Sequence, residues 1–263
     1  MYKSLTGLIA ILGMNVPLAI TAVQPAQALP EAQIMEKLRG VPIFTITMVK
    51  SPNGTRDFVW ESAGKDPKAP LFTRGFIGLK DAQTFLKLFQ KEQPQPGKTA
   101  QISPIPLSAI YKMELEAKKK SKNMGFIFVP TEPQIKNALT ILKKPYQNNI
   151  NYPVPLFVVT VPDKKKNVAI QRNDLTELFF DKQDAQEWLK TVKTKNPKLA
   201  GKAQVTVETL QNMMTSFYKI NNPGQQQLVF VPSRENADIV RKIQAEQSKQ
   251  SPSATPTTTP PKR

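Results

Sequence analysis

Two kinds of apolar spacing alternate along the chain. VPIFTITMV from Val41 and VPLFVVTV from Val154 are short β-branched and aromatic runs opened by proline, the pattern of strands. After the first run, Asn53-Gly54 marks a turn, DFVWES from Asp57 returns as a second strand, and LFTRGFIG from Leu71 makes a third. After the second run, VPDKKKNVAIQR reads as a shorter, more basic hairpin and LTELFF from Leu175 as the next strand. The period then changes. Ala82, Phe85, Leu86 and Phe89 recur at helical spacing, as do Ala185, Trp188, Leu189 and Val192, giving one apolar stripe per helix. Asp81 and Asp184 fall in the first turns, where a carboxylate meets unpaired N–H groups and the positive end of the dipole, and are read as caps. A Pro-rich connection leads in each case to a second helix, striped in the later one by Leu210, Met213, Met214 and Phe217. A strand ending in Val-Pro follows, then a last helix with Thr131 or Ser233 as N-cap and Pro133 in its first turn. Its stripe is Ile135, Ala138 and Ile141 in one case and Ala237, Val240 and Ile243 in the other.

The recurrence is a duplication. LKDAQTFLKLF at Leu79 and KQDAQEWLKTV at Lys182 carry the same Asp-Ala-Gln 103 residues apart, and AQI at Ala100 meets AQV at Ala203 at the same spacing. FIFVPTE at Phe126 meets LVFVPSR at Leu228 at 102, and VPIFTIT meets VPLFVVT at 113. Four blocks in one order identify a tandem repeat. Each half reads β-β-β-α-(β)-α-β-α, which argues for an α+β fold rather than a doubly wound sheet. The expectation is two structurally similar halves sharing a core around a pseudo-twofold axis, each with a small sheet and packed helices. Residues 29–150 form the first half and 151–247 the second. Residues 248–263, SKQSPSATPTTTPPKR, read as a disordered Pro/Thr-rich tail.

The start, one Lys followed by an apolar run and Ala26-Gln27-Ala28, has the form of a bacterial secretory signal over residues 1–28. Thr6, Asn15 and Pro17 interrupt the run, which falls short of the roughly 20 apolar residues of a spanning helix. With no Cys there is no disulfide framework, and with no His there is no Ser-His-Asp site and no His-based metal site. No cofactor, metal or catalytic residue is expected. The 37 basic residues against 20 acidic ones give a net charge of +17, which attracts anionic surfaces without naming one. Nucleic acid is not expected, because the Lys-rich turns lack interleaved aromatics.

The blocks LRGVPIFTIT, GLKDAQTFLKLF, YPVPLFVVT, LTELFFDKQDAQEWLKTV and LVFVPSRENA resemble the Tic twenty-two family, the small soluble component of the chloroplast inner-envelope translocon and its cyanobacterial relatives. The likeness spans about Leu38 to Ile243 and is most specific at Phe179–Leu189. It implies a butterfly-like fold and a soluble protein that escorts unfolded precursors between two membranes. For the cyanobacterial relatives it implies a link to outer-membrane biogenesis, with a membrane-assembly protein of the Omp85 type as the suggested partner. The leader then implies export, to the periplasm or thylakoid lumen of a cyanobacterium.

A chaperone needs exposed apolar surface with a polar rim. The candidate client-binding residues are Phe44, Trp60, Phe72, Phe76 and Met113 in the first half. Their second-half counterparts are Phe157, Phe179, Phe180, Met213 and Phe217. Periodicity alone does not separate a core stripe from a groove wall, so each has a core reading beside the functional one. At least one apolar concavity is expected in each half. Lys118, Lys119, Lys120 and Lys122, with Lys164, Lys165 and Lys166, are either solvated turns or a basic surface for anionic membrane or an acidic partner. The other function class is a structural adaptor docked on one outer-membrane complex, with no client range. An enzyme using acids or Lys would show a deep polar pocket with perturbed ionisations.

Overall fold

The computed structural model describes residues 29–50, 54–66, 68–147, 151–163, 166–219 and 227–250. Residues 1–28, read as a secretory signal, Asn53, Lys164, Lys165 and residues 251–263 lie outside the described residues. Helix α1 (Glu31–Arg39) comes first, between Pro30 and Gly40. The pattern reading passes over it because its buried face is only Ile34 and Leu38, too narrow a stripe to stand out. Strand β1 (Pro42–Val49) follows as expected. DFVWES does not form one strand: it breaks into β2 (Arg56–Phe58) and β3 (Glu61–Ser62). The cause is the spread between β1 and β4 (Leu71–Phe76), which pair at Phe44↔Phe76. Passing from one to the other, the segment first pairs Phe58 with Thr47 and then Glu61 with Phe72. At the break Val59 turns inward, its N–H donating to Ile46 O at 3.0 Å.

The first half continues through α2 (Leu79–Glu92), the one-turn α3 (Pro94–Gly97), β5 (Gln101–Pro106), α4 (Leu107–Lys119), β6 (Met124–Val129) and α5 (Glu132–Leu142). The second runs β7 (Pro155–Asp163), β8 (Lys166–Ala169), β9 (Thr176–Phe179), α6 (Lys182–Lys195), α7 (Pro197–Ala200) and β10 (Gln204–Thr209). It ends with α8 (Leu210–Lys219), β11 (Leu228–Val231) and α9 (Arg234–Gln250). Ser248 to Gln250, read as the start of a disordered tail, are thus the last residues of α9. Among the described residues the fold is α+β, with two sheets. In the first, β5 pairs β1, β1 meets β4, and β6 lies parallel to β4; in the second, β10, β7, β9 and β11 follow the same order. Phe44↔Phe76 recurs as Phe157↔Phe179, Pro42↔Pro106 as Pro155↔Thr209, and Phe76↔Val129 as Phe179↔Val231. These pairs stand at the 113, 103 and 102 spacings of the sequence blocks.

Strand alternation sends successive side chains to opposite faces. One face of each sheet goes into a common core: Ile43 of the first and Leu156, Val158 and Leu178 of the second share a cluster with Leu38, Ile110 and Leu210. The other faces are covered by helices. Phe44, Ile46 and Phe76 lie under α2, and Phe157 and Phe179 under α6. Burying each such Phe contributes about 1.5–3 kcal/mol. The last helix of each half crosses over. Ala138 and Ile141 of α5 pack with Phe157 of the second sheet, whereas Ile239 of α9 packs with Phe44 of the first. Hydrogen bonds fix both crossings: Lys182 N–H donates to Gln134 Oε1 at 3.2 Å, and Asn236, which is buried, donates from Nδ2 to Ile77 O at 2.6 Å.

Asp81 and Asp184 lie in the first turns of α2 and α6, but the side-chain cap of α6 is Asp181, which accepts the Gln183 N–H at 2.7 Å. Asp184 faces Arg234 at 2.9 Å. Gly78 caps the start of α2, where a Cβ would lie 2.7 Å from Thr131 Cγ2, so the starts of α2 and α5 approach only over a glycine.

Helix α1 packs against α4 of the first half and β11 of the second, and Lys37 Nζ donates to Leu228 O at 2.9 Å. Leu38→Ala is therefore expected to destabilise both halves together, by about 2–5 kcal/mol. In variants retaining either Trp60 or Trp188, one in each half, both probes should report the same lowered denaturation midpoint. Two separate midpoints would contradict a common core.

Candidate functional site

A hollow of about 800 Å³ lies between β5, the turn from α1 into β1, and α9. The sequence of β5, QISPIP, decides its character. Leu107 N–H donates to Val41 O at 2.8 Å, which fixes the ladder so that positions 104 and 106 face away from β1. Both are proline, so this edge offers no N–H at either position and resists extension by another strand. What remains is a side-chain surface: Ile102, Pro104 and Pro106 on one wall, Ala237 and Val240 on the other. Arg39 and Arg241 stand at its rim, paired within their own helices to Glu36 and Asp238. At the matching place in the second half, Ala138 and Ile141 of α5 close over Val205 and Val207.

A smaller hollow, about 220 Å³, opens beside the strand break. Phe58, Trp60 and Phe126 meet edge to face, with centroids 5.5 to 6.3 Å apart. Met113, Met124 and Glu114 line it too. Burial pushes the Glu114 carboxyl up, and a 3.4 Å bond from Phe126 N–H opposes the shift.

The third, about 330 Å³, is polar. Arg172 lies 4.1 Å over the Trp188 ring and pairs with Glu177 at 3.0 Å, while Arg234 pairs with Asp184 and Glu187. Burial raises the Glu177 and Asp184 carboxyls, and the facing guanidinium opposes each shift. The first half has the same arrangement with charges exchanged. Arg74, at the position of Glu177, lies 5.1 Å over Phe85 and is held by both oxygens of Glu61 at 2.7 and 2.9 Å. A cation over an aromatic face, anchored by a carboxylate, accounts for both clusters as structural. A fourth opening, about 700 Å³, lies where α2, α5, α6 and α9 begin; Asp81, Glu132, Asp181 and Glu235 face the positive helix ends there.

Most of the aromatics expected to receive a client are core. Phe44, Phe76, Phe157, Phe179, Phe180 and Phe217 are all at most 4 % exposed, because helices cover both faces of each sheet. Met213 is half-buried against the central cluster, and Phe72 is half-buried on β4. Of the ten, Trp60 and Met113 line the small hollow beside the strand break, Phe179 borders the polar hollow and Phe180 the opening where the four helices begin. Of these hollows, two apolar ones lie on the first sheet, the one beside Trp188 is polar, and the opening where the four helices begin is lined from both halves, by Ile77, Leu79 and Pro133 and by Phe180. Lys118 and Lys119 end α4 exposed, with Lys120 as its C-cap and Lys122 following; Lys119 reaches Glu31 at 4.0 Å. Lys166 opens β8. Pattern reading missed the groove wall of α9. Its buried residues include Asn236, and Ala237 and Val240, read as core stripe, border the opening. It also missed Glu114, although the 103-residue spacing places that carboxylate opposite Phe217.

The model of the Tic22-like family matches residues 10–243. The chain belongs to that family. Two solved members share its fold. Anabaena Tic22, described as a protein of protein transport, superposes with a TM-score of 0.65 at 28 % identity over 81 % of this chain and 97 % of its own. Tic22 from Plasmodium falciparum superposes with a TM-score of 0.57 at 20 % identity, over 81 % and 98 %. No curated protein matches the chain significantly. Among the described residues of this family member, no helix is long and apolar enough to cross a membrane, and no group of acidic residues could hold a metal.

The raised Glu114 carboxyl carries a pH signature. The native state holds that proton to higher pH than the unfolded chain does, so ionisation of Glu114 costs stability as pH rises through its native value. Glu114→Gln should gain denaturation midpoint over the parent at pH 8, and the gain should shrink towards pH 4. An equal gain at both pH values would contradict burial as the cause.

Proposed function

We propose that this protein is a soluble, exported component of protein transport that holds unfolded segments in the groove between β5 and α9. The observation that carries the reading is the groove itself, about 800 Å³ with an apolar floor and arginines at the rim. Membership of the Tic22-like family and the likeness to a protein-transport structure support it. Binding by side-chain burial rather than strand addition suits clients of varied sequence, because Pro104 and Pro106 remove the backbone donors. The net charge of +17 would speed encounter with acidic clients or anionic membrane. Action by binding needs no catalytic residue, cofactor or metal.

In this reading residues 29–150 and 151–247 are tandem halves related by a pseudo-twofold axis, the butterfly-like form. The compartment is the periplasm or thylakoid lumen, where such a holdase would hand outer-membrane precursors to an assembly protein of the Omp85 type. The recurring strand pairings and the exchanged helices α5 and α9 support the symmetry.

Val240→Glu places a charge in the groove wall without touching the core. The parent should suppress aggregation of an unrelated denatured protein at near-stoichiometric ratio, and the variant should need about tenfold more protein, since a desolvated charge disfavours apolar ligands. No suppression by the folded parent would favour the adaptor, a protein docked on one outer-membrane complex.

A further inference from the structure

The duplication supplies an internal control for the small hollow beside β2. In the second half the position of Glu114 holds Phe217, which is fully buried and packs on Phe230 with centroids 6.2 Å apart. Phe126 and Phe58 correspond to Leu228 and Ala169, by the 102-residue spacing and by the shared pairing with Thr47 and Thr160. Where one half fills its interior with an aromatic, the other opens about 220 Å³, sets a carboxylate in it and surrounds that with rings.

That carboxylate is under-satisfied. Among the described residues its only hydrogen bond is the 3.4 Å contact from Phe126 N–H, and it makes no ion pair. The rings of Phe58, Trp60 and Phe126 are half-buried, leaving part of each accessible. Aromatic faces attract cations, and a buried carboxylate gains most from charged N–H donors.

We infer that this hollow is a binding site for a lysine or arginine side chain of a partner polypeptide. The alkyl stem lies against the rings and Met113, and the ammonium or guanidinium donates to Glu114. A quaternary ammonium head group would satisfy the rings but has no N–H to give the carboxylate, so N–H-bearing cations are preferred. Asp57, held by Lys50 at 2.9 Å, and Glu116 also line the opening and add negative charge. Lys120 and Lys122 line it too, are exposed, and oppose the guest by like charge. Lys50, Lys120 and Lys122 balance the carboxylates of Asp57, Glu114 and Glu116, so the opening carries no excess of positive charge in a chain of net charge +17. The inference is independent of the groove at β5, which lies at a different place on the first sheet.

The test is Trp60 fluorescence in the full protein carrying Trp188→Phe, titrated at low salt with n-butylammonium, n-butylguanidinium, tetramethylammonium and neutral n-butanol. The two N–H cations should saturate, tetramethylammonium should bind more weakly, and butanol should bind least. Glu114→Gln should weaken the N–H cations on the order of tenfold while leaving butanol unchanged. Phe126→Leu, which keeps the carboxylate and substitutes the residue of the other half, should weaken every cation. Glu114→Phe should fill the hollow and abolish binding in a folded protein. Equal responses to butylammonium and butanol would overturn the inference, as would unchanged butylammonium affinity in Glu114→Gln. Should Glu114→Gln not fold, Phe126→Leu decides: undiminished cation binding by that variant overturns it. Tighter binding of tetramethylammonium than of butylammonium would reassign the hollow to a quaternary head group and overturn the proposal as made.

Discussion

The contact on which the rest depends is the burial of one face of each sheet against the other through a shared layer of helices. Ile43 lies on a strand whose neighbours Phe44 and Ile46 point the opposite way, under α2, so β1 is apolar on both sides. The same holds for β7, with Leu156 and Val158 inward and Phe157 and Val159 outward. A strand buried on both faces cannot leave one side to water, and a half of about 100 residues has too little of its own to cover both. The second sheet and helices α1, α4 and α8 close one side, and the crossed helices α5 and α9 help close the other. No disulfide is available to replace that burial.

The openings on which the proposed function rests lie where the two halves differ. At β10 the covering helix α5 sits tightly; at β5 its counterpart α9 turns Asn236 and Ile239 inward and leaves Ala237 and Val240 bordering a groove. Position 104 is Pro and position 207 Val, so one edge strand loses outward donors that the other keeps. Glu114 opposite Phe217 opens the small hollow, and Arg74 with Glu61 opposite Glu177 with Arg172 reverses the charges of a surface cluster while keeping its geometry. The repeat preserves packing, and the substitutions within it create the openings.

Much of this was legible in the residues. Strands opened by Val-Pro, the Asp-Ala-Gln helices and the recurrence at 103 residues all follow from period and spacing, which act locally. The crossing of α5 and α9 did not, because a stripe such as Ile135, Ala138 and Ile141 says that a helix buries a face and not which sheet receives it. The single strand expected at DFVWES failed for a similar reason: its break depends on the spread between β1 and β4, a tertiary property. Phe179 and Phe180 are alike as groove candidates in the sequence, and alternation sends them to two different interiors, each only bordering a hollow. Trp60, on the longer hairpin segment of the first half, is the aromatic whose setting the repeat could not supply.

The claim that the two halves form one body is tested most directly by making residues 29–147 and 151–250 as separate chains. Neither should unfold cooperatively alone, and an equimolar mixture should regain a single cooperative transition with native near-ultraviolet circular dichroism. A native-like spectrum and a cooperative transition from either chain by itself would contradict the account.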